Sequence, residues 1–255
     1  MLLHGVGDNA LDWRWVMPTL ARDHRVYAPD LPGSGASAKP AANRYSPAVF
    51  ERFVCALLDA LGAERAAVVG NSAGGLAGLR FALSEPERVR ALGLVASAGL
   101  GRKVSPALRS LSVPGYGRMA VSWGRRRPGA AQRALGRSAL LFADPWRVPR
   151  NWLKEQYRLA RLPGFLEAQL ATVRAQVSIR GQREVLLDRL SDLQTPTLVV
   201  WGERDRVLPL SQAHEAIARL PNGSLELIPD CGHLPHVEHP ERFAAILGRF
   251  LGGQT

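Results

Sequence analysis

Apolar positions along this chain fall into two rhythms, and the alternation between them predicts the architecture. Short β-branched runs read as strands: a stub at Leu2–Leu3, then Arg25–Ala28, Ala66–Val69, Val89–Val95, Thr197–Trp201 and Ser224–Ile228. Longer stretches with apolar residues at helical spacing lie between them. Asp12 to Ala21 carries Trp13, Val16, Met17 and Leu20 on one face. Ser46-Pro47 supplies an N-cap residue and a first-turn proline, and that helix runs through Phe50, Val54, Leu57 and Leu58 to a stop at Gly62. Further helices are expected from Ala73 to near Pro86, from Ser211 to Leu220 and from Pro240 to Leu251. Strands alternating with helices imply right-handed crossovers and a mostly parallel sheet covered on both faces.

The rhythm changes between residues 98 and 193. Strand signals vanish there, and Pro or Gly separates short helical pieces at Pro106, Pro114-Gly115, Pro128-Gly129, Pro145, Pro149 and Pro163-Gly164. The expected organisation is an α/β core formed by residues 1–97 and 194–255, with 98–193 inserted as a helical cap. No repeat period is visible.

Charge sharpens this division. The net charge of +11 sits almost entirely in the insertion, where 18 Lys/Arg face five acids between Leu100 and Leu190. The plain reading is a solvated basic lid; the alternative is a site for an anion or a membrane surface. No nucleic-acid reading motif accompanies the charge, so nucleic acid is not expected as a partner. No apolar run reaches the roughly 18 residues of a membrane span. Two cysteines, Cys55 and Cys231, make no disulfide framework; reduced thiols and the lack of a leader point to the cytoplasm.

The most informative local pattern is Val68-Val69-Gly70-Asn71-Ser72-Ala73-Gly74-Gly75, a strand running into Gly-x-Ser-x-Gly and then a helix. Glycines on both sides allow a tight, strained turn that lifts the serine hydroxyl clear of the sheet. A serine so placed needs a base, an orienting acid and donors for an oxyanion. Two later strand-end loops offer these: Gly202-Glu203-Arg204-Asp205 and Pro229-Asp230-Cys231-Gly232-His233. His233 is the expected base and Asp205 the acid. Asp230 braces a turn, and His236 and His239 are expected as rim residues or as caps of the helix that begins at Pro240. The amides of Val6, in His4-Gly5-Val6-Gly7, and of Ala73 are the expected oxyanion donors. Asp30, in its Pro/Gly turn, reads as a bracing carboxylate.

Together, His4-Gly5-Val6-Gly7, Asp30-Leu31-Pro32-Gly33-Ser34-Gly35, the Ser72 elbow, Trp201-Gly202-Glu203-Arg204-Asp205 and Gly232-His233 resemble the α/β-hydrolase superfamily. The resemblance implies the α/β-hydrolase fold and acyl transfer through Ser72, His233 and Asp205, with a small-molecule acyl substrate and without metal or cofactor. It implies carboxylic-ester hydrolysis first. The Gly-Asn-Ser-x-Gly-Gly elbow is also similar to carbon–carbon bond hydrolases of ring-cleavage dienoic keto-acids, where Asn71 fits and Arg158, Arg161 or Arg180 would meet an anionic substrate. A non-catalytic ligand-binding homologue is the third reading. Asn71, Leu234 (where that branch carries an aromatic) and Trp146 are the expected substrate contacts. The lid is expected to cover an apolar pocket that Trp123, Phe142, Trp146, Trp152, Tyr157 and Phe165 could line, with packing within the lid as the first reading of each. Family members carry two strands ahead of the His-Gly turn that are missing here, which leaves Arg25–Ala28 as an open edge. Either the chain is shortened, or a homo-oligomer covers that edge.

Overall fold

The computed structural model describes residues 1–41 and 44–253; Ala42, Asn43, Gln254 and Thr255, which fall inside the expected core segments, lie outside the described residues. A five-stranded parallel sheet forms the centre: β1 (Leu2–Leu3), β2 (Ala66–Asn71), β3 (Val89–Val95), β6 (Thr197–Gly202) and β7 (Gly223–Ile228), in that spatial order. The register pairs Leu2 with Val69, Val69 with Gly93, Leu94 with Val199, and Val199 with Leu225. Two further short strands, β4 (Val177–Ser178) and β5 (Gly181–Gln182), pair antiparallel with each other.

The strands are almost wholly apolar because both faces are covered. Successive side chains point to opposite faces. Val68, Leu92, Leu94, Val199 and Trp201 enter one core with Phe50, Val54 and Leu58 of α2 (Pro47–Ala60) and Leu79 of α3 (Ala73–Ser84). Val69, Ala91, Val95, Leu198 and Val200 enter the other, against Phe243 and Leu247 of α11 (Pro240–Gly252) and Leu20 of α1 (Met17–Leu20). Helices α9 (Ser211–Ile217) and α10 (Pro235–Glu238) complete this part.

Five helices lie between β3 and β6: α4 (Pro106–Leu111), α5 (Tyr116–Gly124), α6 (Arg127–Leu141), α7 (Arg150–Ala160) and α8 (Phe165–Gln176). Their prolines sit where a missing N–H costs nothing, Pro106 and Pro128 in first turns and Pro149 as an N-cap. Ala130, Leu159, Ala160, Phe165 and Leu166 give them a small core of their own. Phe142 stands edge-on to Trp152 at 4.9 Å, both fully buried.

Three sequence expectations need correction. Asp12–Ala21 is not one helix but a 3-10 turn at Ala10–Trp13 followed by α1, because Pro18 cannot donate to Arg14 and so restarts the helix instead of continuing it. Arg25–Ala28 is not a strand. A single bond, Leu2 N–H to Tyr27 O at 2.8 Å, ties it to β1, which is too short to support a ladder; Val26 and Ala28 pack into the core instead. The open edge strand that motivated self-association is therefore absent among the described residues. Finally, the insertion contains strands after all, the minimal β4–β5 pair.

Candidate active site

Ser72 lies at the junction of β2 and α3 with φ 52° and ψ −116°, a conformation that costs a non-glycine residue free energy and is held by its surroundings. Its N–H donates to Val95 O at 3.0 Å, and its carbonyl accepts from Ala98 N–H at 3.0 Å. The glycines are obligatory through close approach. A Cβ on Gly70 would strike the Gly74 backbone, and one on Gly74 would lie 2.5 Å from Leu3 O and 2.6 Å from His4 O. The elbow is thereby pressed against the His4-Gly5 turn.

That turn is fixed by three groups. His4 Nε2 accepts from Leu31 N–H at 3.0 Å, so its Nδ1 carries the proton and donates to Gly5 O at 2.8 Å. Burial lowers the His4 pKa, which keeps this tautomer neutral. Asp30 accepts from the amides of Ala10 and Ala36 at 2.8 and 2.7 Å, the bracing role expected of it. From α8, Gln169 accepts Gly7 N–H at 2.6 Å and donates to Gly33 O and Ser34 Oγ, both at 3.1 Å. Val6 N–H and Ala73 N–H donate to nothing among the described residues.

Asp205 follows β6 with its side chain fully buried. One carboxylate oxygen accepts from the amides of Val207 and Leu208 at 2.7 and 3.1 Å; the other meets His233 Nδ1 at 2.7 Å. This bond places the proton on Nδ1 and leaves Nε2 as a base. Glu203 is exposed, and Asp230 pairs with Arg204 at 2.6 Å on the surface, so neither competes. The His233 loop is anchored twice more. His233 N–H donates to Leu141 O at 2.7 Å, and Glu238 accepts from Gly232 N–H at 2.8 Å and from Ala143 N–H at 2.9 Å. Burial raises the Glu238 pKa.

Ser72, Ala73, Gly5, Val6 and His233 line one cavity of about 60 Å³. Ser72 Oγ itself has no hydrogen-bond partner among the described residues. Asp205 and His233 are thus joined directly, while Ser72 and His233 share the cavity wall. Arg137, Leu108, Leu140, Val6 and Val173 also border a larger cleft of about 670 Å³ that opens among the inserted helices.

The expected substrate contacts are corrected. Asn71 is 1% exposed; its amide donates to Val95 O at 3.1 Å and His233 O at 3.0 Å, so it fastens the base loop to the elbow and lines neither cavity. Leu234 is core. Trp146 is 95% exposed, on a short 3-10 turn pointing away from both cavities. His236 is not on the rim: it is buried, stacked on Trp13 with ring centroids 4.0 Å apart, and burial beside His233 and His4 lowers its pKa to about 3. Arg158 pairs with Glu155 at 2.6 Å, and Arg161 and Arg180 are exposed away from the cavities.

Beyond Val6, Ser72, Ala73, His233 and Trp123, all named from the sequence, the cavities are lined by residues that were not expected there. Arg137 contacts Asp8 at 2.5 Å and Val6 O at 3.3 Å; Arg133 donates to Gly7 O at 3.3 Å, and burial next to Arg137 lowers its pKa to about 9. Their i, i+4 spacing on α6 was the available signal. Cys231, Glu238 and His239 bring one ligand-type atom each within 4.8 Å of one another behind the base loop, but both Glu238 oxygens already accept backbone amides.

Residues 1–240 match the alpha/beta hydrolase fold family, and the chain belongs to it. It is 33% identical to a 2-hydroxymuconate semialdehyde hydrolase of a Pseudomonas species over 98% of this chain and 86% of that protein. A pimeloyl-[acyl-carrier protein] methyl ester esterase of Aeromonas hydrophila is 31% identical over 99% of this chain and 94% of the other. Among solved structures, a meta-cleavage product hydrolase from Pseudomonas fluorescens superposes with a TM-score of 0.84 at 25% identity, covering 100% of this chain and 90% of that one. The family is one of hydrolases. No helix among the described residues is long and apolar enough to cross a membrane.

Proposed function

We propose that this protein is a serine hydrolase that cleaves a carboxylic ester through an acyl-enzyme on Ser72, with residues 98–193 acting as a cap over the site. The observation that carries the reading is the 2.7 Å contact between buried Asp205 and His233 Nδ1, in a loop whose histidine shares a cavity with a strained serine. His233 Nε2 takes the Ser72 proton as Oγ attacks the carbonyl carbon. The negative charge that develops on the carbonyl oxygen is met by the unengaged amides of Val6 and Ala73. The imidazolium, held by Asp205, then gives its proton to the departing alcohol. Water repeats the sequence on the acyl-enzyme, releasing the acid and restoring Ser72. Two amide donors replace what a metal would otherwise supply to the oxyanion.

A second reading is hydrolysis of a carbon–carbon bond in a dienoic keto-acid. It is supported by the 2-hydroxymuconate semialdehyde hydrolase relative and by two donors of the cavity-lining residues, Arg137 Nε and Gln176 Nε2, which are buried without acceptors and would suit an oxygen-rich substrate. Assay of the purified protein against a series of acyl-chain esters and one dienoic keto-acid separates the two. Turnover of esters supports the first reading; turnover of the keto-acid alone replaces it with the second. Binding without turnover of either would leave a ligand-binding homologue.

A further inference from the structure

Between Glu87 and Asp144 the chain carries eleven Lys/Arg and no carboxylate. Within this stretch α5 presents Tyr116, Met119 and Trp123 at i, i+3 and i+7, and they are 47, 62 and 44% exposed. All three border the 670 Å³ cleft that reaches inward to Arg137. Trp123 Nε1 donates to Gln132 on α6 at 2.7 Å, which satisfies its polar edge and leaves the ring face outward. Arg118 lies within α5, Arg125 caps its C-terminus, and Arg126 and Arg127 lead into α6. Arg125 reaches Glu167 at 2.9 Å; Arg118, Arg126 and Arg127 make no ion pair among the described residues.

We propose that this α5 face docks the protein onto an anionic lipid surface, with the cleft mouth turned toward the bilayer. A solvated basic face would not place a methionine and two large aromatics at its centre. An apolar stripe flanked by arginines is the pattern of a helix lying in the plane of a membrane interface, where Trp and Tyr rest at headgroup depth. Charge selects among the occupants. A second copy docking by the same face would bring the same excess of arginine, its Glu167 already paired with Arg125, and be repelled, and a nucleic acid gives no partner to Met119. Anionic headgroups pair with the arginines while the acyl region takes Met119 and Trp123. The docking itself does not depend on the hydrolytic reading; the use of the cleft to admit acyl chains does.

The test is co-sedimentation of the purified chain with phosphatidylcholine vesicles, with and without a quarter of phosphatidylglycerol, at low and high salt. Binding should need the anionic lipid, weaken with salt and shift tryptophan emission to the blue, a shift that Trp123→Phe diminishes. Replacing Arg118, Arg126 and Arg127 together by Glu should weaken binding on the order of a hundredfold or more, since each basic residue near an anionic surface contributes about a factor of five to ten. Met119→Ser should weaken it several-fold. Turnover of a water-soluble short ester by the Arg118/Arg126/Arg127 variant, whose residues line neither cavity, should match the wild type. The proposal is overturned if anionic vesicles do not bind the wild-type chain at low salt. It is equally overturned if Met119→Ser and Trp123→Ser leave binding unchanged, or if soluble polyglutamate competes as well as vesicles do, since either would mean plain polyanion attraction. The wild-type lipid and salt series decides the matter even if the triple variant does not fold.

Discussion

The parallel-sheet region and the inserted helices solve the same problem, burying apolar surface, in opposite ways. In the sheet, side chains alternate strictly between two cores, and backbone passes so close to backbone that glycine is required at Gly70 and Gly74. In the insertion, helices meet through a small core, and large apolar side chains remain outside. The sheet region therefore fixes atoms, as a reacting centre needs. The insertion fixes only approximate surfaces, which suits a part that adapts to what binds.

The sharpest way to break this comparison is at the reacting atoms. Ser72→Ala should lower turnover by at least about a thousandfold with the fold intact, and Asp205→Asn should cost about as much, because an amide cannot hold the Nδ1–H tautomer. Initial rates with folding checked by circular dichroism read both, and near-wild-type turnover in either would remove that residue from the chemistry. Next in size is a pair of glycines. Gly74→Ala should destabilise by about 1–3 kcal/mol or more, since its Cβ meets the Leu3 and His4 carbonyls. Gly136→Ala on α6, with nothing within 4 Å of the new methyl, should stabilise by about 0.5–1 kcal/mol. Urea denaturation measures both, and effects of the same sign would erase the contrast.

A pH experiment comes third. His236 has a folded pKa of about 3, below its unfolded value of about 6.5, so the unfolded chain binds the extra proton in acid. Its contribution is complete above pH 6.5 and is lost as pH falls toward 3, with a slope approaching about 1.4 kcal/mol per unit. His236→Phe should flatten the acid limb of stability against pH relative to the wild type; parallel curves would show that the ring is not held neutral. The smallest effect is expected at Trp146, where replacement by Ala should change stability by less than about 0.5 kcal/mol and leave ester turnover untouched.

What the sequence revealed follows the same division. Ser72, Asp205 and His233 stand at ends of strands whose apolar runs are unmistakable, so strand order alone brings their loops to one edge. The contacts of the insertion depend on how helices rotate against one another, which periodicity does not specify. Trp146 was expected near substrate because it is large and aromatic, yet its 3-10 turn projects it into solvent. Gln169 could have been noticed as a lone polar residue between Ala168 and Leu170, and Arg133 and Arg137 as a pair one turn apart. Nothing local marked which of the many arginines would face inward. Asn71 was misread because a polar residue beside a nucleophile suggests a ligand, whereas here two backbone carbonyls, Val95 at the end of β3 and His233 in the base loop, claim its amide hydrogens.

The amide of His233 hangs from the Leu141 carbonyl at the last turn of α6, and the Gly232 amide is linked through Glu238 to Ala143. The same helix carries Arg133 and Arg137 along the wall of the cleft. Whatever tilts α6 to widen the passage must also re-aim the imidazole, so admitting a guest and being poised to react are mechanically one event.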